Sequence, residues 1–364
     1  MKVTKESVLE ALKRVGDPIT GVNIVDRNMV GKVDVDGKNV TVFITVNQGA
    51  SEDVKFEMIT NATEAIKSIS RWVKVNIHLE QNMNLSKKDG GPLDHIKNII
   101  AVASGKGGVG KSTVATNLAL ALKKAGHRVG MIDADLYGPS VPTMFGLEGH
   151  QPKVTKYYGK DRIIPLIGYD MPVMSIGFIV PPEQAVVLRG PRLATILTQF
   201  FNDVLWPALD FLIIDLPPGT GDIHLTMVQN VPVTGAIMVT TPQTVAVIDA
   251  VKAMNMFRLD SVKVPILGVV ENMAWFTPKE LPNNKYYIFG EGGGEKLASV
   301  AHTKLLAQIP IVQGIREGGD KGVPAVVSDD DILTKTFMDL AQSVVHEVEL
   351  RNQNQSPTKV VEVQ

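Results

Sequence analysis

A glycine-rich segment at residues 105–113 carries the residue types of a phosphate-binding loop. It follows an apolar run at 99–103 and precedes a helix-like segment at 112–125, which is the strand–loop–helix order that such a loop requires. Glycines let successive backbone N–H groups point at one phosphate, and the helix that follows adds its own unpaired N–H groups. The predicted ATP-binding residues of the loop are Gly105, Lys106, Gly107, Gly108, Val109, Gly110, Lys111, Ser112 and Thr113.

Two lysines of this loop have different predicted tasks. Lys111 can reach the β- and γ-phosphates, and the neighbouring Ser112 hydroxyl can bind Mg²⁺. Lys106 lies inside the loop, where most phosphate-binding loops have no lysine. It either serves a composite site across a dimer or is a solvated loop lysine.

Two aspartates, Asp133 and Asp135, directly follow the apolar run at 129–132. Both therefore lie at the carboxyl end of a predicted strand, near the predicted phosphate site. One acid at such a place can hold Mg²⁺ through water, and another can orient the attacking water. The alternative is a polar turn at a strand end, but the adjacent loop favours the functional interpretation.

A third apolar run, at 211–214, ends in Asp215 and then in a stiff Pro-Pro turn. Asp215 has the position of a Walker-B acid, which engages the Mg²⁺ shell, although a solvated strand end is the alternative. The backbone N–H of Gly219 could contact the γ-phosphate and report its loss on hydrolysis, as in nucleotide switches whose loops relax after cleavage.

A further strand ends at Glu271-Asn272-Met273. The Asn272 amide carries a donor and an acceptor that could bind the adenine edge, but asparagine also serves in turns. The loop that follows, at 274–290, is rich in aromatic residues and prolines. Its aromatic side chains could anchor a partner, although we slightly favour packing onto their own domain.

The elements that position these residues follow from the apolar runs. Seven short runs without alternation are separated by helical segments, at 99–103, 129–132, 173–176, 211–214, 236–239, 266–270 and 306–309. Strands buried on both faces and alternating with helices predict an α/β fold, a doubly wound, mostly parallel sheet with ligands at the carboxyl ends of its strands.

Domain boundaries follow from changes of pattern. Residues 1–80 predict a small α+β domain in the order helix, strand, strand, helix, strand, with a hairpin turn at Asp36-Gly37. Residues 81–96 are polar around Gly-Gly-Pro and predict a linker. Residues 97–348 predict the nucleotide-binding domain, and residues 349–364 a disordered polar tail.

Composition narrows the function classes. Of 364 residues 44% are hydrophobic and 21% charged, and the net charge is −1. The overall electrostatic field of the protein therefore does not favour binding to nucleic acid or to an anionic membrane. No apolar run approaches the roughly 20 residues of a membrane span, and no signal pattern opens the chain, so we expect a cytoplasmic protein. With no cysteine, thiolate chemistry is excluded, and the seven histidines are taken as ordinary surface or hydrogen-bonded residues.

Together these segments resemble the Mrp/ApbC family of iron–sulfur cluster carrier ATPases, part of the deviant-Walker-A group that includes MinD, ParA and the nitrogenase iron protein. The resemblance covers about residues 97–348 and rests most specifically on segments 133–140 and 215–222. Arg189-Gly190-Pro191, Glu271-Asn272-Met273 and Ile288-Phe289-Gly290 also match. Residues 1–80 resemble, more weakly, a domain linked with iron–sulfur assembly.

The resemblance implies a slow ATPase that forms a homodimer, with ATP and Mg²⁺ at the interface and assembly factors or apo-protein clients as partners. It implies that Lys106 reaches the partner subunit's nucleotide and that Asp135, rather than Asp133, is the water-positioning acid. Asp133 is then nearer the Mg²⁺ shell, Asp215 and Gly219 belong to the second switch, and Asn272 belongs to the adenine pocket.

One departure from the family pattern concerns the cluster. Members usually carry Cys-Pro-x-Cys soon after Glu-Asn-Met, and two such pairs would hold a bridging cluster. Here the corresponding residues are Thr277-Pro278-Lys279-Glu280, so no iron–sulfur ligands can be identified.

Three functions remain open on the sequence. The first is an ATPase of iron–sulfur cluster assembly. The alternative is a nucleotide-switched adaptor or positioning ATPase, like MinD or ParA, without a metal role; the lack of cysteine favours it. Segment 333–350 lacks a basic amphipathic character, and the balanced charge gives no DNA-binding signature. A scaffold that binds no nucleotide is disfavoured by the intact loop.

Overall fold

The computed structural model describes residues 3–17, 23–25, 29–47, 52–70, 72–82, 93, 95–135, 138–157, 160–180, 190–260, 262–328, 330–356 and 358. The chain divides into two compact units. The first comprises Met1–His95, Lys153–Ile164 and Asp203–Ala208, and the second comprises Ile96–Pro152, Pro165–Asn202 and Leu209–Gln364. The first unit is thus built from three separate stretches of chain, which the prediction of contiguous domains did not include.

The first unit contains a small sheet covered by helices. Its elements are α1 (Lys5–Leu12), β1 (Val30–Asp36), β2 (Asn39–Asn47), α2 (Glu52–Lys67) and β3 (Lys74–Asn82), in the order that the sequence predicts. Strand β1 pairs antiparallel with β2 through a tight turn in which Gly37 has φ +59°, and β2 pairs parallel with β3. The apolar side chains of α1, α2 and β2 form one core, which includes Val8, Leu12, Val42, Ile44, Met58 and Ile66.

The second unit is built on an eight-stranded sheet. Its strands are β4 (Ile96–Ala103), β5 (Val129–Asp133), β8 (Leu166–Gly168), β9 (Met171–Ser175), β10 (Leu209–Asp215), β11 (Gly235–Thr240), β12 (Ile266–Phe276) and β13 (Leu305–Ile311). The order is β13-β12-β11-β4-β10-β5-β9-β8, and every neighbouring pair is parallel except β8 with β9. The predicted fold class is confirmed, and each of the seven predicted runs forms a strand of this sheet.

Helices lie between these strands along the chain, and two more follow the last strand. They are α3 (Lys111–Lys124), α4 (Val141–Met144), α5 (Gly190–Asn202), α6 (Asp222–Asn230), α7 (Thr244–Arg258), α8 (Gly293–Ala301), α9 (Gln313–Asp320) and α10 (Asp331–Asn354). Short 3₁₀ turns occur at Ile176–Phe178 and Ala325–Val327. Strand β5 is buried along its whole length, and helix α3 has ten buried residues, so the sheet is covered where the predicted site lies. No helix in the described part of the chain is long and apolar enough to cross a membrane.

Three predicted boundaries need correction. Helix α10 continues to Asn354, so the first residues of the predicted tail are helical. Both ends of the predicted linker at 81–96 lie in strands, because β3 extends to Asn82 and β4 begins at Ile96. Residues 83–92 and 94 of this segment lie outside the described residues. A second antiparallel pair, β6 (Lys153–Tyr157) with β7 (Lys160–Ile164), was not predicted and belongs to the first unit.

Candidate functional site

The predicted phosphate loop lies where the sheet topology requires. Residues 104–110 connect the carboxyl end of β4 to α3, and Gly108 and Gly110 both have φ +80°, a conformation that side chains disfavour. Gly110 is the N-cap residue of α3, and among the described residues no side chain caps this helix. The free N–H groups and the positive end of the helix dipole are therefore available to an anion.

Two glycines of the loop are required by close packing. A Cβ at Gly105 would lie 2.0 Å from the backbone carbon of Asp249 in α7. A Cβ at Gly110 would lie 2.1 Å from Nδ2 of Asn272 in β12. The loop is therefore held tightly between these two elements, which fixes its backbone before any ligand arrives.

The register of three parallel strands brings the predicted acidic residues together. Asp215 of β10 is aligned with Val102 of β4 on one side and with Asp133 of β5 on the other. Because all three strands run in the same direction, their carboxyl ends meet at the edge where the loop begins.

Lys111 lies at the centre of this edge. Its side chain is 6% exposed, and its Nζ lies 2.7 Å from Asp215 Oδ1 and 3.5 Å from Asp135 Oδ2. The same ammonium group donates to the Ser112 hydroxyl at 3.2 Å. The structure thus places Lys111, Ser112, Asp135 and Asp215 in one cluster, as the sequence predicts.

Asp133 is held by the protein itself. Its Oδ1 accepts the backbone N–H of Asp135 at 3.1 Å, and its Oδ2 accepts the backbone N–H of Val141 at 3.2 Å and the hydroxyl of Ser175 at 2.9 Å. Burial and the nearby charge of Asp215 raise its pKa to about 8, although Lys111 and the donated hydrogen bonds oppose this shift. A metal ion at Asp133 would have to share or replace these bonds.

Ser175 was missed by the sequence analysis. It ends β9, is fully buried, and accepts the backbone N–H of Gly177 at 3.0 Å while it donates to Asp133. The only sequence signal for Ser175 is its place at the end of the strand that pairs with β5. A single serine at a strand end is too common to indicate a role.

Asp215 has one oxygen left over. Its Oδ1 pairs with Lys111, whereas its Oδ2 is buried and makes no hydrogen bond to the described residues. Burial raises its pKa, and the Lys111 charge and the Ser112 hydroxyl oppose the rise. A buried oxygen without a partner is costly, so this atom is suited to a further ligand such as a water of a Mg²⁺ shell.

The turn after β10 is bonded to the strand that carries the loop. Leu216 N–H donates to Val102 O at 3.0 Å, and Gly219 N–H donates to Ser104 O at 2.9 Å. Gly219 has φ +94°, which its missing side chain allows. The predicted contact of this N–H with a γ-phosphate would therefore require the bond to Ser104 to break.

Asn272 supports the loop and lines a cavity. Its Nδ2 donates to Val109 O at 2.9 Å. Met273 follows with φ +57° at an irregularity in the pairing of β12 with β13. The cavity of about 620 Å³ beside them is lined by residues of the glycine-rich loop, of α3 and of several other segments, among them Gly110, Thr113, Ser140, Met144, Ile288 and Ile315. Asn272 thus has a positioning contact that the sequence analysis did not foresee, next to a space large enough for a nucleobase.

Lys106 lies apart from the buried cluster. It is exposed, its backbone O accepts the Ser104 hydroxyl at 3.0 Å, and no described carboxylate forms an ion pair with its ammonium group. This position allows both predicted interpretations, a composite site or a solvated lysine.

His224 departs from the expectation of ordinary histidines. It lies in the first turn of α6, is fully buried, and neither ring nitrogen makes a hydrogen bond to the described residues. Its ring packs edge to face on Phe257, with ring centroids 6.2 Å apart. Burial lowers its pKa to about 4, although the backbone of Gly221 and Pro217 opposes the shift.

The aromatic loop is more exposed than expected. Phe276 and Tyr286 exchange two backbone hydrogen bonds of 2.8 and 2.9 Å, and Lys285 Nζ lies 3.9 Å from the centre of the Trp275 ring. Leu281, Tyr286, Tyr287 and Ile288 are between 43% and 59% exposed. The two backbone bonds close the loop into a hairpin, and Tyr286 and Tyr287 are only partly covered by their own domain.

The described residues offer no separate cluster of metal-binding side chains. Among the described residues no group of three or more histidine, cysteine, aspartate or glutamate side chains could hold a metal ion. Arg189 and residues 136–137 of the predicted motifs lie outside the described residues.

Comparison with known families identifies both parts of the chain. Residues 95–345 match the model of the NUBPL iron-transfer P-loop NTPases, within the ParA group, and residues 5–79 match the model of an iron–sulfur cluster assembly protein. The second match covers the small α+β domain, and the first covers most of the unit that holds the eight-stranded sheet.

Curated relatives agree with these models. An iron–sulfur cluster carrier protein from Synechocystis sp. (strain PCC 6803) is 41% identical over 351 residues, which is 96% of this chain and 99% of the relative. A protein of the same name from Escherichia coli (strain K12) is 49% identical over 253 residues, 69% of this chain and 67% of the relative.

Solved structures give the same fold. A nucleotide-binding protein from Archaeoglobus fulgidus in complex with ADP is 36% identical, with a TM-score of 0.57, over 68% of this chain and 94% of the other. The septum site-determining protein MinD from Pyrococcus horikoshii, complexed with Mg-ADP, is 23% identical with a TM-score of 0.50 over 70% of this chain and 99% of the other, a likeness of fold alone.

Proposed function

The chain belongs to the NUBPL iron-transfer P-loop NTPase family, and we propose that it binds and hydrolyses MgATP as part of iron–sulfur cluster assembly. The observation that best supports the proposed binding of ATP is the buried contact of 2.7 Å between Lys111 Nζ and Asp215 Oδ1, next to the glycine-rich loop. A lysine and a Walker-B acid held together at a helix N-terminus have the composition of a triphosphate site.

The phosphates are bound by the backbone and by Lys111. The N–H groups of the loop and of the first turn of α3 form the cradle, which Gly108 and Gly110 make possible with φ +80°. Lys111 is already oriented by two carboxylates, so its ammonium group loses little freedom when it turns to a phosphate oxygen.

Mg²⁺ fits the donors at this edge. Ser112 offers a hydroxyl and Asp215 an unpaired carboxylate oxygen, both hard oxygen donors, and we include Asp133 among the acids of the shell. The ion, when bound, neutralises charge on the phosphate oxygens. The chain itself keeps Asp133 and Asp215 fully buried, which strengthens their electrostatic contacts.

Asp135 is proposed to orient the attacking water. Its carboxylate lies 3.5 Å from Lys111, and its backbone N–H is fixed to Asp133, so it stands beside the triphosphate position. A carboxylate there can accept a hydrogen bond from water in line with the γ-phosphate.

Gly219 is proposed as the element that senses the nucleotide. In the structure its N–H is bonded to Ser104 O, next to the loop. If that N–H turned to a γ-phosphate oxygen, the turn would lose its bond to Ser104, and hydrolysis would restore the bond. Asn272 is proposed for the adenine pocket, in addition to its bond to Val109 O.

Lys106 is proposed to act across a homodimer. Its exposed side chain, without an ion-pair partner in the described part of the chain, is free to reach the nucleotide of a second copy. Assembly factors or apo-protein clients are the further partners that we propose, because relatives bear the name iron–sulfur cluster carrier protein and residues 5–79 match an assembly domain.

The experiment is phosphate release from ATP by the purified chain. We expect slow hydrolysis that requires Mg²⁺, a loss of at least about 100-fold with Lys111→Ala, and a similar loss with Asp135→Asn. Asp330→Asn, at the N-cap of α10, is the matched control and should leave turnover unchanged. Full activity of Lys111→Ala would contradict the assignment of the site.

The positioning-ATPase alternative is supported only by the absence of cysteine. Sedimentation with anionic vesicles or DNA in the presence of ATP tests it, and we expect the chain to remain in the supernatant because its net charge is −1.

A further inference from the structure

The donor set of this chain does not fit an iron–sulfur cluster. Clusters are held by cysteine thiolates, with histidine as the occasional replacement. The 364 residues include no cysteine, so every cluster ligand of these two kinds would have to be a histidine. A cluster, as the cargo implied by the names of the relatives, therefore lacks its usual attachment here.

The histidines do not form a substitute site. All seven lie within the described residues, on different elements or loops, at positions 78, 95, 127, 150, 224, 302 and 346. Several are engaged locally: His78 stacks on Phe43 and His95 bonds to Trp206 O at 2.9 Å. His224 is buried away from solvent. In the described portion of the chain no three-donor group could hold a metal.

The turn where thiolates are expected is folded, but its side chains offer hard oxygen donors and no sulfur. Residues 277–280 begin the hairpin closed by Phe276 and Tyr286, and Leu281 N–H donates to Pro278 O at 3.1 Å to form a tight turn. Glu280 is exposed at this turn. A hydroxyl and a carboxylate prefer Mg²⁺ or Ca²⁺ to iron–sulfide, so Thr277 and Glu280 do not replace two thiolates.

We propose that this chain holds no iron–sulfur cluster of its own and acts on cluster assembly through its nucleotide site, while the thiolates come from another polypeptide chain. The inference rests on the proposed function and sharpens it: the chain is the ATP-dependent member of an assembly, and what it binds is a cysteine-bearing partner. The hairpin that would present the ligands is folded, so what this chain lacks for a cluster is the two thiolate side chains.

The test is anaerobic reconstitution of the full chain with ferrous iron and sulfide, followed by counts of bound iron and acid-labile sulfide and by the visible spectrum. The double variant Thr277→Cys/Glu280→Cys is treated in parallel. Asn283→Cys/Asn284→Cys, on the same hairpin but with adjacent cysteines, is the matched control. MgATP binding is measured on each sample.

We expect iron and sulfide near zero in the unaltered chain and in the control, and a visible cluster absorption only in Thr277→Cys/Glu280→Cys. A stable, stoichiometric cluster on the unaltered chain would overturn the inference. A double variant that stays colourless would overturn the explanation by missing thiolates. If MgATP fails to bind while iron also fails to bind, the proposed function falls and the cluster inference stands.

Discussion

Charge balance explains the arrangement at the phosphate edge. Three buried carboxyl groups, of Asp133, Asp135 and Asp215, lie near one ammonium group, that of Lys111. Such an excess of like charge in a buried place is costly, and burial together with the charge of Asp215 raises the pKa of Asp133. A divalent cation would offset part of this negative charge.

The hydrogen bond from the Ser175 hydroxyl to Asp133 is expected to stabilise the fold. Ser175→Ala removes the hydroxyl that donates to Asp133 at 2.9 Å and leaves a buried carboxyl short of one partner. We expect a loss of about 1–3 kcal/mol in the free energy of unfolding, measured by urea denaturation. Ser343→Ala, whose exposed hydroxyl bonds to Asp339 O within α10, is the control and should change stability by less than about 0.5 kcal/mol. Equal effects would refute a special role for Ser175.

His224 predicts a dependence of stability on pH. Above its ordinary pKa of 6.5 the ring is neutral in both folded and unfolded chains. Below that value the unfolded chain takes up a proton, whereas the folded chain does not until about pH 4, so stability falls as the pH is lowered through this window.

The expected contribution of His224 is about 2 kcal/mol between pH 7.5 and pH 5. His224→Phe keeps the ring and removes the proton site, so unfolding of this variant should lose that much less stability over the same interval. Urea midpoints at both pH values give the comparison. Identical pH slopes for the two proteins would show that His224 is not held neutral.

Residue roles differ in how far they can be read from the sequence. Lys111, Ser112 and Asp215 follow from local spacing and strand ends, and the structure brings them together. Ser175 and His224 could not be found, because their importance depends on partners distant in the chain: Ser175 meets Asp133, 42 residues away. The same holds for the bond from Asn272 to Val109, over 163 residues.

At the scale of elements, strand and helix ends differ from expectation where tertiary contacts stabilise polar residues. Strand β12 continues to Phe276, past the end predicted at Glu271-Asn272-Met273. Within it the Glu271 carboxylate accepts hydrogen bonds from Gly294 N–H and from Gln308 Nε2. Helix α10 continues into the polar tail, where Asn352 bonds to Asn98 at 2.9 Å and Arg351 bonds to Ser356 O at 2.9 Å. Short exposed strands such as β6 carry no buried pattern from which they could be predicted.

The packing of the loop against α7 can be tested with two glycines. Gly105→Ala places a Cβ 2.0 Å from the Asp249 backbone, which cannot yield without moving the helix. We expect a cost of about 3 kcal/mol in unfolding free energy. Gly107→Ala is the matched control, since its Cβ would be no closer than 3.8 Å to Pro218 Cγ, and should change stability by less than about 1 kcal/mol.

Urea denaturation of both variants decides the matter. Equal midpoints for Gly105→Ala and Gly107→Ala would mean that the loop is not clamped by α7. Weaker nucleotide binding by Gly105→Ala would follow from a displaced cradle, because the N–H groups of the loop must converge on one phosphate.

At the scale of the whole molecule, a nucleotide-binding unit and a small assembly-type unit share one chain. The doubly wound sheet could be predicted because strands buried on both faces leave an unmistakable run of apolar residues. The composition of the first unit could not, since Lys153–Ile164 and Asp203–Ala208 join it only in three dimensions. The chain carries the residues that we propose for the ATP site and no cysteine, so we propose that the nucleotide is the ligand on which its action depends.

Calorimetric titration of the full chain with MgATP is the most direct test of this account. We predict one nucleotide per subunit, affinity lowered by about 10- to 100-fold or lost in Lys111→Ala, and affinity nearly unchanged in Asp330→Asn, which lies at the N-cap of α10 and outside the buried cluster. Unchanged MgATP affinity in Lys111→Ala would contradict the central claim that the buried lysine and its carboxylates form the nucleotide site.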